Sequence, residues 1–363
     1  MPKTIAITPS WYWPESVDRV AGVPPFAIQE ICVNRHLRDK ADQPALIGDE
    51  TLTWAELAQR IRTSQVASGG GPVSMSGDLS VDSVVAVLAA LFRGQRLNLQ
   101  EGASAPQLEG AGDIEEVEVP DLLAPILSIQ GIGGLVSHSH KSLLANVVSV
   151  VTFLGPDPER SWFVSRPLHT WEGLLSLLMP LYLGVPVILG RDDNPEEFAE
   201  TIVQHRPGYA MTNLDLAAIT TREAKRPVKK AREILDAMLL KTDGVFDPGD
   251  RQRIGKSYRC HALTVFGMAE TGVILAAHPQ WYLDESVGIP ITNAHVVPAD
   301  PRNGSAIQTL WELVESAEVT VKGPALMTGY EDRNDTDYLV DGRFRTKVIA
   351  SSDANGMIYI LPD

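Results

Sequence analysis

The sequence predicts an α/β fold: β-sheets covered by helices over residues 1–277, followed by a β-rich subdomain over 278–363. Three observations lead there. Strand, loop and helix signals alternate as far as Ala277. Beyond it, short strand-like runs are separated by Gly, Pro, Asn and Asp. A chain of 363 residues that is 44% hydrophobic and 21% charged can bury a large core. The first region is long enough for two subdomains, with their join expected near residues 150–160.

Taken in order, Thr53-Trp-Ala-Glu56 is a capping box that opens a helix to about Ile61, because the Glu56 carboxylate can reach back to the Thr53 amide. Val81–Phe92 is apolar, helical and closed by Gly94. Pro125–Gln130 reads as a buried strand that runs into a glycine turn, Gly131-Ile-Gly-Gly134. A helix follows from about Lys141 to Leu154 and ends at Gly155. Leu174–Gly190 reads as a buried helix and then a buried strand. Asn194-Pro195-Glu-Glu starts a helix that must stop before Pro207. In the last region Val287–Pro290, Glu318–Lys322 and Met357–Leu361 read as strands. Softer joins are expected at Gly102–Gly112 and Asp300–Ser305.

Charge and composition narrow the function. A formal charge of −15 argues against nucleic acid and anionic membrane as partners, since both call for a basic footprint. Leu174–Gly190 is interrupted by Pro180, Gly184 and Pro186 and falls short of the roughly 20 residues of a membrane span. The N-terminus lacks the sustained apolar core of a signal peptide. Cys32 and Cys260, far apart and without metal spacing, fit a reducing cytoplasm.

A glycine turn between a strand and a helix can present backbone N–H groups to an anion, although GxGG alone is most often a tight corner. Its surroundings say more. Leu127-Ser-Ile-Gln-Gly-Ile-Gly-Gly-Leu-Val-Ser-His-Ser-His-Lys-Ser-Leu-Leu-Ala-Asn146 resembles, without gaps, the phosphate-loop segment SGTTGxPKGVxHTHxxLLAN of the adenylate-forming superfamily. That superfamily comprises acyl-CoA synthetases, adenylation domains and luciferases. Pro167-Leu-His-Thr-Trp-Glu-Gly173 resembles its PLxH segment, and Val265-Phe-Gly-Met-Ala-Glu-Thr271 resembles YGxTET. Ser286–Pro290, Val321–Tyr330 and Asp341–Thr346 resemble GSVGxP, VxGPxxMxGY and DGWFRT, and Pro44–Leu57 the N-terminal signature. The resemblance spans residues 20–361 in the family's order. It implies the family's large N-terminal domain, with a distorted barrel as the β-rich part, and small acyl or aryl carboxylates as substrates.

The same alignment shows what the sequence replaces. Ile129 and Gln130 stand at the phosphate-loop threonines, and Gly133-Gly134 where Pro-Lys belongs. Lys347-Val348 replaces the Gly-Asp whose aspartate grips the ribose. A lost hydrogen bond to a charged group is worth roughly 1.5–3 kcal/mol. Thr242-Asp243 falls at the two glycines that flank adenine. The chain ends at Leu361-Pro-Asp363, where the family continues into a smaller C-terminal domain that brings a catalytic lysine, so that domain is expected to be absent. Of the nucleotide site, the resemblance leaves Gly131, Gly133, Gly134, Phe266, Glu270 and Thr271. Glu270 is the family's Mg²⁺ acid and would bind a metal only with a nucleotide. ATP and Mg²⁺ are therefore doubtful cofactors, and no other cofactor or metal site is expected. On the acyl side, His169, Thr170, Trp171, Phe266 and Gly267 are the expected pocket, with His169 as the candidate catalytic base.

Plainer readings stand beside these. His169 is either a packed histidine or a pocket base, and Glu270 either a ligand or a cap on local amides. His138-x-His140 coincides with the family's HTH segment, which is not a metal site. Trp162, Trp171 and Trp281 are expected as core or pocket wall. The basic run Arg222–Arg232 is a solvated surface or a docking site for an acidic carrier protein. Three functions follow: an acyl or aryl carboxylate or thioester binder that has lost adenylation and transfers acyl groups, a non-catalytic scaffold, or a residual ligase completed by another protein.

Overall fold

The computed structural model describes residues 12–67, 71–111, 120–307, 314–331 and 338–362. The start of the chain, the Gly112 end of one expected join and Asp363 lie outside the described residues. In chain order the helices are α1 (Ile28–Cys32), α2 (Leu37–Lys40), α3 (Trp54–Thr63), α4 (Val81–Phe92), α5 (His140–Leu154), α6 (Trp171–Leu183), α7 (Pro195–His205), α8 (Leu214–Glu223), α9 (Lys225–Lys230) and α10 (Pro248–Tyr258). Local chemistry sets their ends. The Thr53 hydroxyl accepts from the Glu56 N–H at 3.2 Å while the Glu56 carboxylate accepts from the Thr53 N–H at 2.8 Å. Ser139 and Ser142 form the same reciprocal box at α5, which Gly155 closes at φ +56°. Asn194 caps α7 through the amides of Glu196 and Glu197.

The largest sheet has nine strands. Its parallel centre runs, in spatial order, β13 (His261–Met268), β12 (Ala237–Thr242), β11 (Tyr209–Asn213), β9 (Trp162–Val164), β10 (Val187–Leu189) and β1 (Pro44–Ile47). Antiparallel strands close both edges: β2 (Thr51–Thr53) beside β1, and β14 (Gly272–Ala276) then β15 (Ile289–Pro290) beyond β13. A second sheet carries parallel β4 (Val73–Met75), β5 (Leu97–Leu99) and β7 (Leu127–Gln130), then antiparallel β8 (Leu135–His138) and β18 (Gly329–Tyr330). The third is antiparallel throughout: β16 (His295–Ala299), β17 (Ala317–Lys322), β20 (Arg343–Ser352) and β19 (Leu339–Val340), with β21 (Ile358–Ile360) on β20. A small ribbon pairs β3 (Ser64–Val66) with β6 (Leu108–Gly110). The fold is thus helix-covered sheets followed by an antiparallel β region.

The core follows the same division. A first cluster packs α4, α5 and α6 between the two larger sheets, around Trp54, Leu88, Phe153 and Leu177. A second, around Phe163, Phe198 and Tyr258, lies under α7–α10. A third, around Phe266, Val319 and Phe344, joins β13 to the antiparallel sheet.

Two pairings differ from the sequence reading. The glycine turn does not lead directly into a helix. It first returns as β8, a four-residue antiparallel strand against β7, and only then does α5 start. Leu-Val-Ser-His is too short and mixed for its period to show, and its partner supplies the order. Strand β15, read with the later strands, is hydrogen-bonded to β14 of the nine-stranded sheet.

Candidate active site

The central strands β9–β13 are parallel, so their carboxyl ends meet at one edge, where open α/β sheets bind ligands. The segment after β9 carries Arg166 and His169 into α6, and β12 ends in Lys241 and Thr242. The β7–β8 hairpin of the second sheet brings in Gln130. Between them lies an open cleft of about 530 Å³, with His169, Thr170 and Trp171 on one wall and Gln130, Glu101 and Lys241 facing them.

The His169 segment is held from below. The Leu168 N–H donates to the Gly77 carbonyl at 2.5 Å, and a Cβ on Gly77 would stand 2.3 Å from the His169 nitrogen. Only glycine lets the two backbones approach so closely. Arg166 lies between Asp192, at 3.4 Å, and Glu172, at 3.5 Å, while Asp192 also accepts from Thr212 Oγ1 at 2.8 Å. Burial lowers the pKa of His169. Glu101 and Glu172 act in the opposite sense, and Arg166 acts with burial. The imidazole is therefore neutral at pH 7 and can accept a proton. The Thr170 hydroxyl is committed to the cap of α6, accepting from the Gly173 N–H at 3.1 Å and donating to the Pro167 carbonyl at 2.8 Å.

Trp171 also walls a second, smaller cavity of about 30 Å³ between α5 and α6, lined by Ile129, His138, Asn146, Leu174, Leu178 and Ala269 among others. His138 is fully enclosed and burial pushes its pKa down to about 4. Its Nε2 lies 2.7 Å from the Ala269 carbonyl and its Nδ1 3.3 Å from Ser142 Oγ. His140 instead accepts the Ile28 N–H on Nδ1 at 3.3 Å. Among the described residues no three His, Cys, Asp or Glu side chains group as a metal site.

Of the other expected pocket residues, Phe266 is 2% exposed within the third core cluster. Gly267 is pressed against the Gly272 carbonyl, which a Cβ would meet at 2.0 Å. Neither is among the residues that line the His169 cleft. Thr271 is buried and spends its hydroxyl on the β13–β14 turn, accepting from the Met268 N–H at 3.3 Å and donating to the Gly272 carbonyl at 2.8 Å.

At the glycine turn two of the amides already have partners. Gly131 N–H donates to the Gly134 carbonyl at 2.9 Å, and Gly133 N–H to Glu270 Oε1 at 3.1 Å. Tyr330 donates to the same oxygen at 3.0 Å. Glu270 is fully buried, and its Oε2 has no hydrogen-bond partner. A Cβ on Gly131 would come 2.5 Å from that carboxylate and 2.4 Å from Val136, so the turn closes tightly over Glu270.

These residues do not fit a nucleoside triphosphate. Ile132, at the tip of the turn, is 61% exposed and apolar. Val348 packs against the third core cluster and offers a ribose no acceptor. Lys347 holds φ +63°, a left-handed conformation that suits glycine better. Asp243 pairs with Lys241, the Thr242 hydroxyl is bound within its own turn by Gly244, and Ile360 lies 3.0 Å from where a Gly244 Cβ would be. The Glu270 Oε2 alone among these groups suits a cation.

Sequence reading overlooked Glu101, Arg166, Asp192 and Lys241. None falls in a recognisable motif: Glu101 follows β5 and Lys241 lies on β12, and both line the cleft, while Arg166 and Asp192, after β9 and β10, pair behind Glu172.

With this geometry in place, a family model described as AMP-binding enzyme matches residues 135–331. A 2-succinylbenzoate–CoA ligase of Bacillus velezensis is 25% identical over 265 residues, covering 70% of this chain and 52% of the ligase. One of Bacillus licheniformis is 26% identical over 272 residues, covering 73% and 53%. The chain thus spans about half the length of the curated relatives it matches. Among solved structures, an o-succinylbenzoate-CoA synthetase of Bacillus subtilis, bound to a product analogue, shares the fold with a TM-score of 0.78. Its sequence is 18% identical, with 92% of this chain and 78% of that one covered.

Proposed function

The chain belongs to the AMP-binding enzyme family, and on that premise we propose that it binds an acyl or aryl carboxylate, or its thioester, without adenylating it. The observation that supports this most is Val348, which packs against the third core cluster and gives a ribose no acceptor. A hydrogen bond to a charged group at that place would be worth about 1.5–3 kcal/mol. The Lys241–Asp243 pair weakens the adenine end in the same direction.

The His169 cleft is the part that suits an acyl group. Trp171 offers an aromatic wall, and in the lining Glu101 and Glu172 outnumber Lys241. That balance disfavours a dianion and favours a monoacid or a neutral thioester. A second reading, acyl transfer, is favoured by the neutral imidazole of His169 at this cleft. It would take the proton of an incoming nucleophile. A carrier-protein or enzyme partner and a cytoplasmic location belong to the same proposal. Cys32 and Cys260 are free, and among the described residues no helix is long and apolar enough to cross a membrane.

Tryptophan fluorescence titrated with benzoate and with the benzoyl thioester of N-acetylcysteamine tests the reading. Saturable quenching that is lost in Trp171→Leu is expected, and a flat response to both ligands overturns it. Acyl transfer from the thioester that survives His169→Ala at an unchanged rate removes the second reading.

A further inference from the structure

Helices α8, α9 and α10 cover one face of the nine-stranded sheet, and their outer surface carries the charge opposite to that of the chain. Ala224, Pro227, Val228 and Ala231 are buried, so α9 turns Lys225, Arg226, Lys229 and Lys230 to solvent as two i, i+4 rows. Exposed Arg222 precedes the rows and exposed Arg232 follows them. Local acids are spent beside the rows of α9 and not on them. Asp250 is shared between Arg222 and Arg253, and Glu233 is taken by Arg259. Among the described residues no ion pair reaches the four cations of α9. Glu223 is the one acid within the run, and the glutamates of α7 (Glu196, Glu197 and Glu200) stand on the neighbouring helix without pairing to it.

Like charges at i, i+4 cost about 0.2–0.5 kcal/mol per pair. In a chain with 46 acidic against 31 basic residues, two such rows left uncompensated are a local concentration that solubility does not require. We propose that this surface docks an acidic helix of a partner protein. Within α9 the run from Lys225 to Lys230 spans roughly 7.5 Å at helical rise. Carboxylates spaced i, i+4 on a facing helix would match both rows. A nucleic acid duplex carries a charge about every 1.7 Å along its whole length and would meet the acidic remainder of the surface beyond the patch. The position is also informative. Because α8 runs back from the carboxyl end of β11, Arg222 and α9 lie at the sheet edge opposite the His169 cleft. A partner held there leaves the cleft open. This proposal stands independently of what the cleft binds.

Fluorescence anisotropy with a labelled helical peptide bearing two i, i+4 rows of glutamate tests it, against the glutamine version and a short DNA duplex. Saturable binding of the acidic peptide is expected, weakened about tenfold or more by raising salt from about 50 to 500 mM, as the Debye length shrinks. The Lys225→Glu/Arg226→Glu/Lys229→Glu/Lys230→Glu variant should lose about tenfold or more, while Lys225→Arg/Lys229→Arg/Lys230→Arg keeps the affinity. Because all four side chains are exposed, circular dichroism should show both variants folded. Equal binding by the charge-reversed variant, no saturable binding at low salt, or tighter binding of DNA than of the peptide overturns the proposal.

Discussion

Lys347 sits inside β20 at φ +63°, where a side chain strains the backbone by about 1–3 kcal/mol. Lys347→Gly removes that strain and adds back unfolded-state freedom worth about 0.5–1 kcal/mol. A net gain of about 1 kcal/mol is expected, read as a higher urea midpoint at unchanged slope. A lower midpoint would mean that the lysine side chain, about 6.0 Å from the Tyr338 ring, contributes more than the strain costs. His138 gives a pH signature. Its folded pKa is pushed to about 4 by burial, below the 6.5 of an exposed histidine. Between those values the unfolded state binds the extra proton, so its contribution is full above pH 6.5 and lost as pH falls towards 4. The slope is about 1.4 kcal/mol per pH unit per histidine. Urea unfolding from pH 7 to pH 5 should therefore be less pH-dependent in His138→Gln, by about one proton. An unchanged slope would mean that His138 is not the buried neutral group described.

At the scale of elements, legibility followed locality. The Thr53–Glu56 box and the Asn194 cap were readable because each is closed within four residues by side chains whose chemistry allows little else. Thr53→Ala is expected to cost about 1 kcal/mol of stability by denaturant titration. Strand β8 was hidden because its order comes from β7 on one side and from β18, nearly two hundred residues later, on the other. The glycine turn was legible as a turn, but not its use. The resemblance grouped Glu270 with the turn, and the structure shows it accepting the Gly133 amide. Gly131→Ala tests that closeness. Its Cβ would overlap the Glu270 carboxylate and Val136, so a loss of about 1–3 kcal/mol is expected. A change near zero would mean that the turn is open.

For the whole molecule, motifs in a fixed order revealed the family and the fold class, because they mark the strand ends where ligands sit. They did not reveal the balance of charge around the cleft, which Glu101, Glu172 and Lys241 bring together from separate elements. Nor did they show how the antiparallel region is pinned. Glu318 and Arg345, both largely buried, bridge β17 and β20, and Glu318 also accepts the Lys347 N–H at 3.1 Å. Arg345→Met should cost about 3–5 kcal/mol by leaving that carboxylate without its partner. The central claim is that the carboxyl edge of the sheets keeps an acyl cleft while its nucleotide end is weakened by Val348 and the Lys241–Asp243 pair. Calorimetric titration with Mg·ATP tests it most directly. No saturable binding tighter than about 1 mM, roughly −4 kcal/mol, is predicted, and a dissociation constant near 1 μM, roughly −8 kcal/mol, would contradict it.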